Sequence, residues 1–194
     1  ALARAFWPGP RTIVVPRLPE STVVELSSAG LATIALRVPS HPTARALLEA
    51  FGDAIVAPSA NRSGHVSATT AAHARADLGD RVDVVLDDGP AIVGLESTII
   101  AVSVDGDATL LRPGAIARET IEALIGPLKA PAASAVQAPG MMESHYAPRA
   151  RLRLDADAPA PGETYLAFGA QAPEGGATLS ETGDLVEAAA NLYA

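Results

Sequence analysis

Between Leu31 and Gly64 the hydrophobic period of the chain changes twice, and this constrains the fold more than any other stretch. Leu31 to Arg37 alternates as a strand does, and Val38-Pro39 ends it. Pro42 to Phe51 carries apolar residues at 44, 47, 48 and 51, the spacing of an amphipathic helix, with proline near its start and Gly52 just past its end. Ala54 to Ala57 is a short apolar run that reads as a buried strand. A strand, helix, strand unit implies a right-handed crossover and a mostly parallel or mixed sheet.

The run stops at Pro58, and Ser59, Asn61, Ser63 and Gly64 follow within six residues. Ligands of α/β sheets sit at strand ends. Hydroxyls, an amide and exposed backbone N–H groups make a neutral cradle for an anion or a nucleotide, although an ordinary polar turn uses the same residues. Next comes Ser67-Ala68-Thr69-Thr70, with Thr70 placed to cap a helix over 71–78. The N–H groups of that helix start add donors to the same site, so Ser67 or Thr69 serves either a ligand or the cap. Arg37, at its strand's end, either grips a carboxylate with two parallel hydrogen bonds or lies over apolar neighbours at the surface.

Upstream, Ala1 to Trp7 reads as the last turns of a helix, Pro8-Gly9-Pro10 as a rigid turn, and Arg11 to Val15 as a strand. Trp7 is either a core plug or a base-stacking platform. Downstream, Val82 to Leu86 reads as a strand broken by Asp87-Asp88-Gly89-Pro90, whose aspartates face solvent or hold Mg²⁺. Ile99 to Val104 and Thr109 to Arg112 form a hairpin turning at Asp105-Gly106, and Arg112-Pro113-Gly114 again sets polar groups at a strand end. Ile116 to Ile125 is a helix closed by Gly126-Pro127. Residues 129–150 read as a linker, and its His145, Tyr146 and two methionines suggest that it docks. Strands at Arg151 to Leu154 and Thr164 to Phe168 and a helix from Leu185 to Tyr193 then open a second, smaller α/β domain. Neither end carries a helix start or stop signal, so the sequence is expected to be a fragment.

Composition narrows the chemistry. With no cysteine, disulfides and thiolate metal sites are excluded, and the four histidines at 41, 65, 73 and 145 lack metal spacing. A formal net charge of −8, from 22 acidic and 14 basic residues, argues against a general polyanion-binding face and so against direct tRNA binding. No apolar run approaches the roughly 20 residues of a membrane span, and a soluble, unexported protein is expected. No Gly-Lys-Ser/Thr loop, Gly-x-Gly-x-x-Gly turn or Gly-x-Ser-x-Gly elbow occurs. What remains is positioning by hydroxyls, amides and a few arginines, which suits phosphoryl or nucleotidyl transfer.

Five motifs in order, Phe6-Trp-Pro-Gly-Pro-Arg-Thr12, Arg37-Val-Pro-Ser-His-Pro42, Ala57-Pro-Ser-Ala-Asn-Arg-Ser-Gly64, Gly94-Leu-Glu-Ser-Thr-Ile99 and Leu111-Arg-Pro-Gly114, resemble those of the YrdC/Sua5 family. The segment from Pro139 to Pro148, with its His-Tyr-Ala-Pro, resembles the linker of the two-domain Sua5 form. The resemblance implies a YrdC-like twisted open mixed sheet with flanking helices over 1–128, its N-terminal part missing. A linker or lid over 129–150 and the start of a smaller Rossmann-like α/β domain over 151–194 would follow.

It also implies an L-threonylcarbamoyladenylate synthase, which joins L-threonine, bicarbonate and ATP, with Mg²⁺, into threonylcarbamoyl-AMP and pyrophosphate. In the cytoplasm a tRNA threonylcarbamoyl transferase complex would take the product for t6A modification. By the family pattern, Arg37, Ser59 and Ser97 would serve L-threonine, while Thr33, Ser59, Asn61, Ser67, Arg112 and Tyr146 would serve ATP. No residue is expected to act as nucleophile, general base or metal ligand. The departures are Arg11, where the family turn usually has leucine, and the absence before Ala1 of the family's Lys-x-Arg segment for the triphosphate. The alternatives are a YrdC-like carbamoyl-transfer module of the hydrogenase-maturation type and a non-catalytic RNA-binding module.

Overall fold

The computed structural model describes residues 1–131, 151–169 and 172–193. Their chain contacts divide them into two units, one built from Ala1–Pro58 and the segment beginning at Glu96, the other from Ser59–Leu95 and the C-terminal segment.

The first unit is organised by β1 (Arg11–Pro16) and β3 (Thr98–Val102), which pair in parallel with Arg11 opposite Thr98 and Val14 opposite Ala101. On the far side of β1 lies β2 (Thr33–Leu36), antiparallel, with Ile13 opposite Leu36 and Pro16 opposite Thr33. Next to β3 is β4 (Ala108–Arg112), also antiparallel, so the sheet is mixed and runs β2-β1-β3-β4. Hydrophobic β-branched residues at 13, 14, 99 and 100 suit the two central strands, because both of their faces are covered.

Alternation sorts the side chains. One face presents Val14, Ile99 and Leu111, with Ala101 packed against them. The other presents Ile100 with Val102, Ala108 and Leu110, and two helices cover it: α1 (Leu2–Phe6) through Leu2 and Phe6, and α4 (Arg118–Ile125) through Ile121 and Ile125. The buried Thr98 hydroxyl exchanges 2.9 Å hydrogen bonds with the N–H and C=O of Ile116, fixing the approach to α4. The hairpin at Asp105-Gly106 forms as its sequence implies, with Gly106 at φ 89° in the left-handed region.

Helix α2 (Pro42–Phe51) has its proline in the first turn and Gly52 as C-cap, as expected. Its apolar side chains nonetheless stay open among the described residues, Leu47 at 45% and Phe51 at 62% exposure. Ala54 to Ala57 is not a strand: it has no ladder partner among the described residues, and Val56 is 64% exposed. The strand, helix, strand crossover over 31–57 is therefore corrected to a strand and helix followed by an extended segment. A four-residue apolar run carries no period of its own, and pairing is decided by chain that lies elsewhere.

In the second unit, α3 (Ala71–Leu78) starts where Thr70 accepts a hydrogen bond from the His73 N–H at 3.1 Å. Val82 to Leu86 and Arg151 to Leu154, read as strands from their apolar content, have no ladder partner among the described residues and are irregular. A short parallel pair forms instead from β5 (Leu166–Ala167) and β6 (Ala177–Thr178), the latter too short to signal itself, and α5 (Leu185–Asn191) follows, capped by Asp184. Gly94 lies against the last turn of α5, where a Cβ would come within 2.6 Å of the Ala190 Cα. Among the described residues no helix is long and apolar enough to cross a membrane.

Arg11 is the anomaly of the sheet. Its place on β1 turns it to the helix-covered face, where it is fully buried beneath Phe6, the guanidinium carbon 4.7 Å from the ring centroid. None of its three guanidinium nitrogens has a hydrogen-bond partner among the described residues, and burial pushes its pKa below the ordinary arginine value. A cation–π contact returns less than the desolvation it requires. Arg11→Leu is expected to raise the unfolding free energy by about 1–4 kcal/mol in denaturant titrations; a loss of stability would show that the Phe6 contact outweighs desolvation.

Candidate functional site

The sheet's polar end is assembled on the face away from α1 and α4. Ile99 pairs with Arg112, yet Ile100 pairs with Leu110, so Leu111 is the extra residue of a β-bulge. A bulge re-aims the side chains beside it. Here Leu111 stays in the apolar layer while Arg112, its side chain only 13% exposed, reaches back along β3. Its Nη2 donates to the Ser97 carbonyl at 2.9 Å and lies 3.1 Å from Ser97 Oγ, and its Nε donates to the same carbonyl at 3.2 Å. Glu96 Oε2 lies 3.4 Å from Nη2, and Ser97 Oγ shares a 2.8 Å hydrogen bond with Thr12 Oγ1. Gly114 lets the chain pass close by, because a Cβ there would collide with the Glu96 carbonyl and approach the Thr98 nitrogen to 2.6 Å.

Of the residues singled out in sequence, Ser97 and Arg112 are thus brought into direct contact. Arg37 follows directly on Leu36, the partner of Ile13, so the register sets it on the row and face of Thr12. The two chains stay together past the ladder, the Gly9 N–H donating to the Val38 carbonyl at 2.9 Å. Arg37 is exposed and Arg112 closes the same row on the opposite edge strand, roughly 14 Å away at the backbone by three strand spacings. Thr33 sits at the other end of β2, opposite Pro16, and is part-buried. Trp7 is spent locally, its Nε1 donating to the Arg11 carbonyl at 2.7 Å, which fits a structural plug.

Ser59, Asn61 and Ser67 belong to the second unit. Ser59 is exposed and Ser67 part-buried. Asn61 Nδ2 donates to the carbonyls of Arg62 at 2.9 Å and His65 at 3.0 Å, so its amide nitrogen is committed to its own loop. Asn61 Oδ1 is buried and has no hydrogen-bond partner among the described residues. Thr69 is buried, its Oγ1 3.2 Å from His73 Nδ1 and its carbonyl accepting from the Ala91 N–H at 2.7 Å. Tyr146 and His145 lie outside the described residues.

Sequence reasoning missed Thr12, Glu96 and Asp77. The first two lie inside quoted motifs. Asp77 gives no local signal, yet its carboxylate accepts from the Arg62 N–H at 2.6 Å and Nε at 2.9 Å and lies 2.7 Å from His65 Nδ1. Those contacts, led by the Arg62 backbone N–H, push the Asp77 pKa down to about 2.

The fold defines a mixed α/β protein of the YrdC-like kind, with hydroxyls and guanidinium groups gathered at one end of its sheet. Residues 1–114 match the Sua5/YciO/YrdC family, described as telomere recombination, and the chain belongs to that family. Residues 116–194 match the C-terminal domain of threonylcarbamoyl-AMP synthase.

Among similar proteins, the threonylcarbamoyl-AMP synthase of Bacillus subtilis is 42% identical over 158 residues, 79% of this chain and 45% of its own length. That of Pyrococcus abyssi is 39% identical over 157 residues, 78% of this chain and 45% of its own. The Schizosaccharomyces pombe protein of the same name is 35% identical over 183 residues, 85% of this chain and 45% of its own. The chain thus spans about half the length of the curated relatives it matches. The crystal structure of P. abyssi Sua5 complexed with L-threonine superposes with a TM-score of 0.83 at 30% identity, covering 99% of this chain and 62% of that one.

Two outcomes follow from this geometry. Gly114→Ala is expected to cost about 1–3 kcal/mol of stability, as overpacking does, because neither colliding partner is a movable side-chain end; denaturant titration reads it. Asp77 has a folded pKa below its ordinary 3.8, so its contribution is fully present above that value and is lost as pH falls toward 2. Amide exchange at Asn61 to His65 should be pH-corrected flat from neutrality to about pH 4 and accelerate below it.

Proposed function

We propose that the chain is the L-threonylcarbamoyladenylate synthase part of its protein, making threonylcarbamoyl-AMP and pyrophosphate from L-threonine, bicarbonate and ATP. The observation that carries the reading is the row from Arg37 through Thr12 and Ile99 to Arg112, with the Ser97 hydroxyl touching both Thr12 and Arg112, in a chain whose relatives bear that enzyme's name.

The reaction needs two anions held together. The threonine amine becomes a carbamate, and a carbamate oxygen then attacks the α-phosphate of ATP while pyrophosphate leaves. Arg37 would hold the threonine carboxylate in a two-pronged grip, with Ser97 and Ser59 beside the amino acid. Arg112 would offset charge at the nucleotide, its guanidinium already oriented by Ser97 and Glu96 so that little reorganisation is required. Thr33, Ser59, Asn61 and Ser67 would orient ATP without attacking anything, and Tyr146 would shelter the hydrolysis-prone carbamate from water.

Mg²⁺ would enter with the triphosphate and neutralise part of its charge. Among the described residues no three histidine or acidic side chains are grouped to hold an ion by themselves, so the phosphates would supply most of its ligands. The product would pass, in the cytoplasm, to a tRNA threonylcarbamoyl transferase complex for t6A modification.

Mass spectrometry of the products formed by the protein carrying its native N-terminal segment, with ATP, Mg²⁺, L-threonine and bicarbonate, tests the reading. Threonylcarbamoyl-AMP is expected, and Arg37→Ala should lower its rate on the order of a hundredfold, the worth of about 3 kcal/mol of charge-assisted hydrogen bonding. Absence of the adduct while ATP still binds would reject the synthase and favour a carbamoyl-transfer module.

A further inference from the structure

We propose that Asp77 is a positioning residue for ATP, clasping the loop that carries Ser59 and Asn61 to helix α3 through Arg62 and His65; this rests on the nucleotide role given above to that loop. Asp77 lies 15 residues beyond Arg62, in the last turn of α3, and its side chain is 17% exposed while those of Arg62 and His65 are 49% and 46% exposed. Both of its oxygens are engaged. Oδ2 accepts from the Arg62 backbone N–H, and Oδ1 meets Arg62 Nε and His65 Nδ1.

The loop closes on itself inside this clasp. The His65 N–H donates to the Arg62 carbonyl at 3.0 Å, Gly64 takes φ 83°, and the Asn61 amide bridges the carbonyls of Arg62 and His65. Arg62 would otherwise be the natural cation for a triphosphate beside Ser59 and Asn61. Its Nε and backbone N–H face Asp77 instead, and its Nη2 lies 3.4 Å from His65 Nδ1. The charge is used to fix the backbone, and the fixed backbone presents the ligand groups. Three contacts onto one carboxylate restrict the loop, whereas a loop of Ser, Asn and Gly left to itself samples many conformations.

Calorimetric titration of the chain with Mg²⁺-ATP, and separately with L-threonine, tests the proposal in wild type, Asp77→Ala, Asp77→Asn, Arg62→Ala and the Arg62→Ala/Asp77→Ala pair. Asp77→Ala should weaken ATP roughly tenfold, with a smaller loss for L-threonine, to which this loop offers only Ser59, and with the chain still folded by circular dichroism at neutral pH. Asp77→Asn should recover part of the loss, since its carbonyl still accepts from the Arg62 N–H. The double variant should be no weaker than Asp77→Ala, because both changes break one clasp. ATP affinity untouched in Asp77→Ala, or additive losses in the double variant, would overturn the positioning role alone. Wild-type chain that binds no ATP would overturn the nucleotide assignment of the loop, and this inference with it.

Discussion

The parallel pairing of β1 with β3 is the contact on which the first unit depends. These strands are far apart in sequence, both faces of the pair are buried, and β2 and β4 are added to their outer edges. Parallel pairs need long connections and two covered faces. Here α1 and α4 seal one face, and the Thr98 hydroxyl, bonded twice to Ile116, ties the start of β3 to that seal. The same start of β3 carries Glu96 and Ser97, so the sheet's central register also sets the polar cluster.

Within that cluster the bulge at Leu111 does two things. It keeps Leu111 in the apolar layer and turns Arg112 along the neighbouring strand, where a carbonyl, a hydroxyl and a carboxylate receive its guanidinium. A guanidinium held in this way is a preorganised positive charge, the form most useful where negative charge gathers in a transition state. Arg37 on the opposite edge is exposed, which leaves one end of the row open for a carboxylate. The second unit uses its charges differently: Arg62 and His65 both meet the Asp77 carboxylate, which ties their loop to α3. The proposed synthase would use the first arrangement to offset charge and the second to orient.

Much of the local structure is legible in the residues. The α2 boundaries follow from Pro42 and Gly52, the Thr70 cap from its position before an alanine-rich helix, the hairpin from Asp105-Gly106, and the end of α4 from Gly126. Each rests on a rule confined to one turn of chain. Ala54 to Ala57 and Val82 to Leu86 failed as strands because their apolar content says nothing about a partner. Arg11 failed differently, for only its pairing with Thr98 turns a charged residue to the covered face.

The sequence by itself determined the class of the fold, the order of its motifs and the kinds of side chain offered to a ligand, because local propensity and spacing are written in consecutive residues. Tertiary structure alone decided which of them meet. Ser97 receives Arg112 only through a bulge, Arg37 joins Thr12's row only through the β1 and β2 register, and Asp77 reaches Arg62 across 15 residues. Those encounters depend on strand register and chain return, which are set by burial of the whole sheet and not by any short stretch of it.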